Sequence, residues 1–123
     1  MNSGKPLAER LQVKGSRTLA VVGANAAQEK SIGVKTKRAE AAKADVVLFF
    51  ASNQKSLDAK LPKLLKQIAP TAILWIGYPK LTSPLADDLS RDALREQAPD
   101  FGLDTISQIA VDEDWSALRF KRL

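Results

Sequence analysis

The sequence predicts a three-layer α/β fold: a mostly parallel sheet with helices on both faces and an antiparallel hairpin at its C-terminal end. Ile73, Leu74, Trp75 and Ile76 form an apolar run with no charge, between Pro70 and Gly77, as in a strand covered on both faces. Val46 to Phe50 is a second such run, rich in β-branched and aromatic residues. A leucine-patterned helix separates the two runs and a further helical pattern comes after them, which is the alternation of an α/β sheet.

The remaining elements can be taken in chain order. Residues 3–11 suit a short helix with Pro6 near its start and Leu7 and Leu11 on one side, lying on the sheet as a flap. After a turn at Lys14, Gly15 and Ser16, Leu19 to Val22 is the apolar core of a first buried strand running from Arg17 to Gly23. Residues 24–31 are alanine-rich and favour a helical turn. From Ile32 to Lys37, Ile32, Val34 and Thr36 alternate with Gly33, Lys35 and Lys37, the pattern of a short strand near a sheet edge. Ala39 to Lys43 is a polar connection into the Asp45–Phe50 strand.

Ser52 or Asn53 caps the next helix, which runs to about Ile68. Leu57, Leu61, Leu64, Leu65 and Ile68 gather on one stripe, with Lys55, Lys60, Lys63 and Lys66 opposite. Pro62 removes a hydrogen bond within this pattern, so a kink is expected there, or two shorter helices with Pro62 opening the second. The central strand, Thr71 to Lys80, is succeeded by a loop from Leu81 to Leu85. A helix beginning at Ser90 ends near Pro99, and Gly102 turns the chain into a hairpin of Leu103–Val111 and Trp115–Lys121 around Asp112-Glu113-Asp114. The expected order is β-α-β-β-α-β-α-β-β.

A chain of 123 residues suits one domain, 1–123, with its own core. With 45% hydrophobic and 27% charged residues it has the composition of an ordinary globule. No apolar run approaches the roughly 18 residues that cross a bilayer. Met1 to Leu11 lacks an apolar signal core, so a cytoplasmic location without membrane contact is expected. Cysteine and histidine are absent, which excludes disulfides, thiolate nucleophiles, the usual zinc sites and a Ser-His-Asp triad. The net charge of +5 is uneven: residues 1–66 hold 13 basic and 5 acidic side chains, and residues 67–123 hold 6 and 9. That asymmetry raises nucleic acid as a partner.

Several segments carry a family resemblance. Ser3-Gly4 with Pro6-Leu7-Ala8, Leu61-Pro62-Lys63-Leu64-Leu65, Ala69-Pro70 leading to Leu74-Trp75, Tyr78-Pro79-Lys80, and Val111-Asp112-Glu113-Asp114-Trp115-Ser116-Ala117-Leu118 span nearly the whole chain. In this set the sequence resembles the bacterial domain of unknown function 3052 family. The resemblance implies a Rossmann-like fold similar to the C-terminal part of methyltransferases, and no established activity. A dinucleotide or S-adenosylmethionine site asks for closely spaced glycines after the first strand and an acid after the second. Here the loop reads Gly23-Ala24-Asn25-Ala26-Ala27, which keeps only the first glycine of a G-x-G-x-G spacing. Thr36-Lys37-Arg38 stands where the acid belongs, with Glu40 nearby as a partial substitute.

The candidate ligand-binding residues lie where open α/β sheets bind ligands, at the carboxyl ends of the strands. Tyr78, Lys80, Thr82 and Ser83 offer a phenol, an ammonium and two hydroxyls, enough to hold a small anion or phosphate; Gly23 and Asn25 complete the set. The plainer reading makes Tyr78 and Pro79 shape the strand exit and leaves Lys80 solvated. Asp112, Glu113 and Asp114 offer hard oxygen ligands but point apart on a tight turn without a shaping glycine, so a solvated turn is expected and no metal is assigned. Trp115 reads as a packing anchor. The lysine stripe, with Lys30, Lys35, Lys37, Arg38 and Lys43, reads as a solvated face, because Phe49, Phe50, Trp75 and Phe120 sit in apolar runs and are not interleaved with it.

The expectation is a non-catalytic domain, without a cofactor, that binds a small anionic ligand or a protein partner. The alternatives are a basic nucleic-acid-associated protein and a small methyltransferase with an atypical cofactor loop.

Overall fold

Three apolar segments pair in parallel at the heart of the computed structural model, which describes residues 7–33 and 37–123. These are β1 (Leu19–Val22), β2 (Val46–Phe50) and β3 (Ile73–Pro79), with Leu19, Val46 and Ile73 level at their amino ends. The hairpin of β4 (Leu103–Ala110) and β5 (Trp115–Arg122) completes a five-stranded sheet in the order β1-β2-β3-β5-β4. β5 therefore lies between β3 and β4, antiparallel to both.

The unbroken apolar runs are explained by cover on both faces. Val47, Phe49, Leu74, Ile76, Leu118 and Phe120 point to one face, where α3 (Gln54–Gln67) and α4 (Arg91–Gln97) supply Leu57, Leu61, Leu64 and Leu94. Val46, Leu48, Phe50, Trp75, Trp115 and Ala117 point to the other, against Leu7 of α1 (Leu7–Arg10), Leu11 and Ile32 of α2 (Ala26–Ile32). Period-two alternation thus feeds two cores from each strand. Each fully buried leucine contributes about 2 kcal/mol. Trp75, 1% exposed, donates its indole N–H to the Leu11 carbonyl at 2.9 Å and ties the N-terminal flap to the central strand.

Two expectations are corrected. The strand expected over Ile32–Lys37 is contradicted at its start, where Ile32 ends α2 and Gly33 caps it in the left-handed conformation; residues 34–36 lie outside the described residues. Arg38 then forms an isolated parallel bridge with Leu19, at the amino end of β1. α2 prevails because a reciprocal cap starts it and the Gly33 N–H, donated to the Glu29 carbonyl at 3.2 Å, closes it.

The second correction concerns Pro62. α3 is one helix and not two, with Pro62 on its exposed side. Proline withholds one donor, but Leu57, Leu61 and Leu64 are buried on both sides of it and hold the two halves in one continuous helix. Of the short segment expected at residues 3–11, Leu7–Arg10 is helical, and residues 3–6 lie outside the described residues. Among the described residues no helix is long and apolar enough to cross a membrane.

Candidate functional site

The carboxyl ends of β1, β2 and β3 each lead into a helix, and a polar side chain of each connection caps that helix. Asn25 accepts the Gln28 N–H at 2.9 Å while the Gln28 side chain accepts the Asn25 N–H at 2.7 Å. Asn53 caps α3 through the Ser56 N–H at 2.9 Å, and Ser90 caps α4 through the Ala93 N–H at 3.1 Å. Capping satisfies amide groups that would otherwise be orphaned and is worth about 1 kcal/mol each. Asn25, a candidate ligand residue, is thereby engaged within the chain.

Gly23 has a different task from the one its position suggests. Its φ is +78°, and a Cβ built on it would stand 2.9 Å from the Phe50 carbonyl oxygen. The close approach that only glycine permits is to the protein's own β2 backbone.

Glu40 does not reach the carboxyl edge. Arg38 is level with Leu19, and Glu40 opens a turn whose carbonyl accepts from the Lys43 and Ala44 N–H groups before β2 starts at Val46, again level with Leu19. The acid therefore lies at the amino edge, and Arg38 is paired with Glu29 of α2.

The exit of β3 is where polar side chains converge. Tyr78, Lys80 and Thr82 line a cleft of about 310 Å³. Its other walls are Ser90, Arg91 and Asp92 at the start of α4, with Gln108 and Ser116 from the hairpin. Three of the six sequence-derived residues are thus brought together. Gly23 and Asn25 belong to the β1 exit, and Ser83 is turned away from the cleft.

Ser83 is a tether. Its hydroxyl donates to Asp114 Oδ1 at 2.8 Å and accepts the Leu85 N–H at 3.0 Å, and the Lys80 N–H donates to the Asp114 carbonyl at 2.8 Å. The acidic turn is solvated at Glu113 and half-buried at Asp112 and Asp114, and it also acts as a clamp. Asp112 Oδ1 accepts the N–H groups of Asp114 and Trp115, both at 2.9 Å, while Oδ2 accepts the Ser31 hydroxyl at 2.9 Å. Among the described residues no group of three or more Asp, Glu, His or Cys side chains is placed to hold a metal ion.

Gln108 enters the cleft because of a β-bulge. The register of β4 slips between Thr105 and Ser107, so that Thr105 pairs with Phe120 and Gln108 with Leu118. Phe120 and Leu118 share a face, so Thr105 and Gln108 both point towards α4. Gln108 Nε2 then donates to the Tyr78 hydroxyl at 2.9 Å. Strand alternation alone does not reveal this residue; Ser116, a polar residue in phase with Leu118 and Phe120, is the one signal the sequence offers.

The cleft is electropositive with a neutral floor. Tyr78 is 3% exposed, and burial raises its pKa above the ordinary 10.0, a rise that Arg91 and hydrogen bonds from Ser116 and Gln108 oppose. The phenol stays protonated at neutral pH and can donate. Lys80 and Arg91 supply positive charge, and Asp92, 3.5 Å from Arg91 Nε in an exposed pair, offsets part of it.

The basic residues elsewhere are spread differently. Lys55, Lys60, Lys63 and Lys66 are all exposed along α3, and Lys35 lies outside the described residues. Phe49, Phe50, Trp75, Trp115 and Phe120 are buried and offer no stacking surface. Trp115 is the packing anchor expected of it: its ring meets Phe50 edge-on with centroids 5.3 Å apart.

The sequence matches no family model and no curated protein. Solved structures do resemble it. A SAM-dependent methyltransferase from Aquifex aeolicus superposes with a TM-score of 0.63 at 14% identity, over 95% of this chain and 88% of the other. Ribosomal protein L11 methylase from Lactobacillus delbrueckii subsp. bulgaricus gives 0.59 at 13%, over 94% and 74%. Magnesium protoporphyrin IX methyltransferase from Synechocystis PCC 6803 with bound SAH gives 0.59 at 11%, over 95% and 80%.

The fold is that of the Rossmann-like methyltransferases. At these identities the likeness is one of fold alone. The methyl donor is the cofactor such a fold implies, and the residues at the β1 exit do not fit it. Gly23 is packed on Phe50, Asn25 is closed in its cap, Glu40 lies at the opposite edge, and Val34-Lys35-Thr36 contains no acid.

Proposed function

We propose that this chain is a methyltransferase-shaped domain that catalyses no methyl transfer and binds a small anionic ligand at the carboxyl end of β3. One observation carries the reading: Lys80 and Arg91 flank a buried, neutral Tyr78 in a cleft lined by hydroxyl and amide donors. Such a set suits an anion with several acceptor oxygens, the guanidinium pairing with two of them and the phenol and hydroxyls with others. The resemblance to the domain of unknown function 3052 family belongs to the same reading, and Tyr78 and Lys80 of its Tyr78-Pro79-Lys80 segment line this cleft.

The test is a thermal-shift titration with inorganic phosphate and, separately, with S-adenosylmethionine. Saturable stabilisation by phosphate that Lys80→Ala and Arg91→Ala abolish is expected, with no shift from S-adenosylmethionine. Saturable binding of S-adenosylmethionine would reject the reading.

Nucleic acid is the second reading, favoured by the exposed lysines of α3. A gel shift whose affinity falls steeply with salt would support it, and no retardation at low salt would remove it.

A further inference from the structure

We infer that the anion cleft is one half of a two-lobed site and that its ligand carries two linked anionic groups with the spacing of a diphosphate. The inference rests on the anion-binding reading and extends it.

A second cleft, of about 170 Å³, adjoins the first and shares two of its walls, Arg91 and Gln108. Its remaining polar lining comes from Arg95, Thr105 and Ser107. Arg91 and Arg95 are four residues apart on α4, so they are neighbours on one helical face, their Cβ atoms roughly 6 Å apart. Lys80, Arg91 and Arg95 therefore line the two lobes in succession, with Arg91 at the junction.

The charges and donors match that order. Among the described residues Asp92 is the one carboxylate in the lining of either lobe, and it already faces Arg91. Each lobe holds hydroxyls beside its cation: Thr82, Ser90 and Ser116 in the first, Thr105 and Ser107 in the second. Gln108 stands between them because of the bulge that turns it towards α4. In the proposed site a single phosphate occupies the first lobe alone. A diphosphate places one phosphoryl group between Lys80 and Arg91 and the other between Arg91 and Arg95, each able to take a forked guanidinium. Apolar surface flanks both ends, with Leu81 exposed at the first lobe and Ile106 at the second, so an organic diphosphate is accommodated as well as the bare ion.

Calorimetric titration of the full chain with inorganic phosphate and with pyrophosphate, at matched ionic strength, tests this. Pyrophosphate is expected to bind at least tenfold more tightly than phosphate. Arg95→Ala should remove that advantage and leave phosphate affinity unchanged, and Arg95→Lys should restore part of it. Lys30→Ala, which deletes a like charge on α2 across the sheet, should change neither affinity.

Equal affinity for the two anions, or equal weakening of both by Arg95→Ala, would overturn the two-lobed site while leaving anion binding in place. A loss of pyrophosphate affinity in Lys30→Ala as large as in Arg95→Ala would reduce the effect to net charge and also overturn it. Failure of both anions to bind would remove the two readings together.

Discussion

Gly77 lies beneath the ring of Phe50 so closely that a Cβ on it would stand 2.8 Å from Cδ1 and 3.0 Å from Cε1. Phe50 cannot move aside freely, because it is buried and its ring meets Trp115 at 85°. Gly77→Ala is therefore expected to cost about 1–3 kcal/mol in urea denaturation. Phe50→Leu, which removes the colliding ring, should recover part of that loss in the double variant. Gly23→Ala should cost at least as much and gain nothing from Phe50→Leu, since its Cβ meets the Phe50 carbonyl and its φ is +78°. An unchanged midpoint for Gly77→Ala would contradict the packing.

Tyr78 sets a limit on alkaline stability. Burial raises its pKa in the folded state above 10.0, so the folded chain holds the phenolic proton more tightly than the unfolded chain does. Its contribution to stability is complete below 10.0 and is lost as pH rises through the folded value. Tyr78→Phe should cost about 1 kcal/mol at neutral pH, through the lost partner of Gln108, and should flatten the decline above 10.0. Denaturation curves of the two proteins that stay parallel through that range would contradict this.

Neighbouring hydroxyls are predicted to behave oppositely. Ser83→Ala removes a donation to Asp114 and an acceptance from Leu85, and should cost about 1–2 kcal/mol and hasten tryptic cutting after Lys80. Thr82→Ala, at an exposed position in the cleft, should leave stability within about 0.5 kcal/mol while weakening phosphate binding. Equal stability losses in the two variants would show that the tether and the ligand wall are wrongly divided.

The central strands, the leucine face of α3 and the hairpin were legible in the sequence because each is set by local periodicity. Trp75 and Trp115 were placed correctly for the same reason. Half of the candidate cleft's polar lining was legible. Tyr78, Lys80 and Thr82 succeed one another at a strand end, so position alone found them. Arg91, Gln108 and Ser116 arrive from elements distant in sequence, and Gln108 depends on a bulge that no alternation rule announces. Asn25 and Ser83 lie outside the cleft, which the sequence does not announce, because a polar side chain in a loop looks the same whether it awaits a ligand or bonds within the chain.

Pro62 offers a test with the opposite sign. A helix-interior proline costs about 3 kcal/mol relative to alanine, offset by roughly 1 kcal/mol from the stiffer unfolded chain. Pro62→Ala should therefore stabilise by about 1–2 kcal/mol, read as a higher urea midpoint at constant m-value.

The position of β5 has a consequence for how the chain acquires its shape. The strand latest in the chain order separates β3 from β4, so β4 cannot take its place in the sheet until Trp115–Arg122 has been synthesised. A ribosome presents β1, β2 and β3 first, with the β3 margin bare, and that apolar rim is the surface a holding chaperone would meet. Maturation then waits on capture of the hairpin, a contact bridging distant segments, and non-local pairing of this kind slows folding.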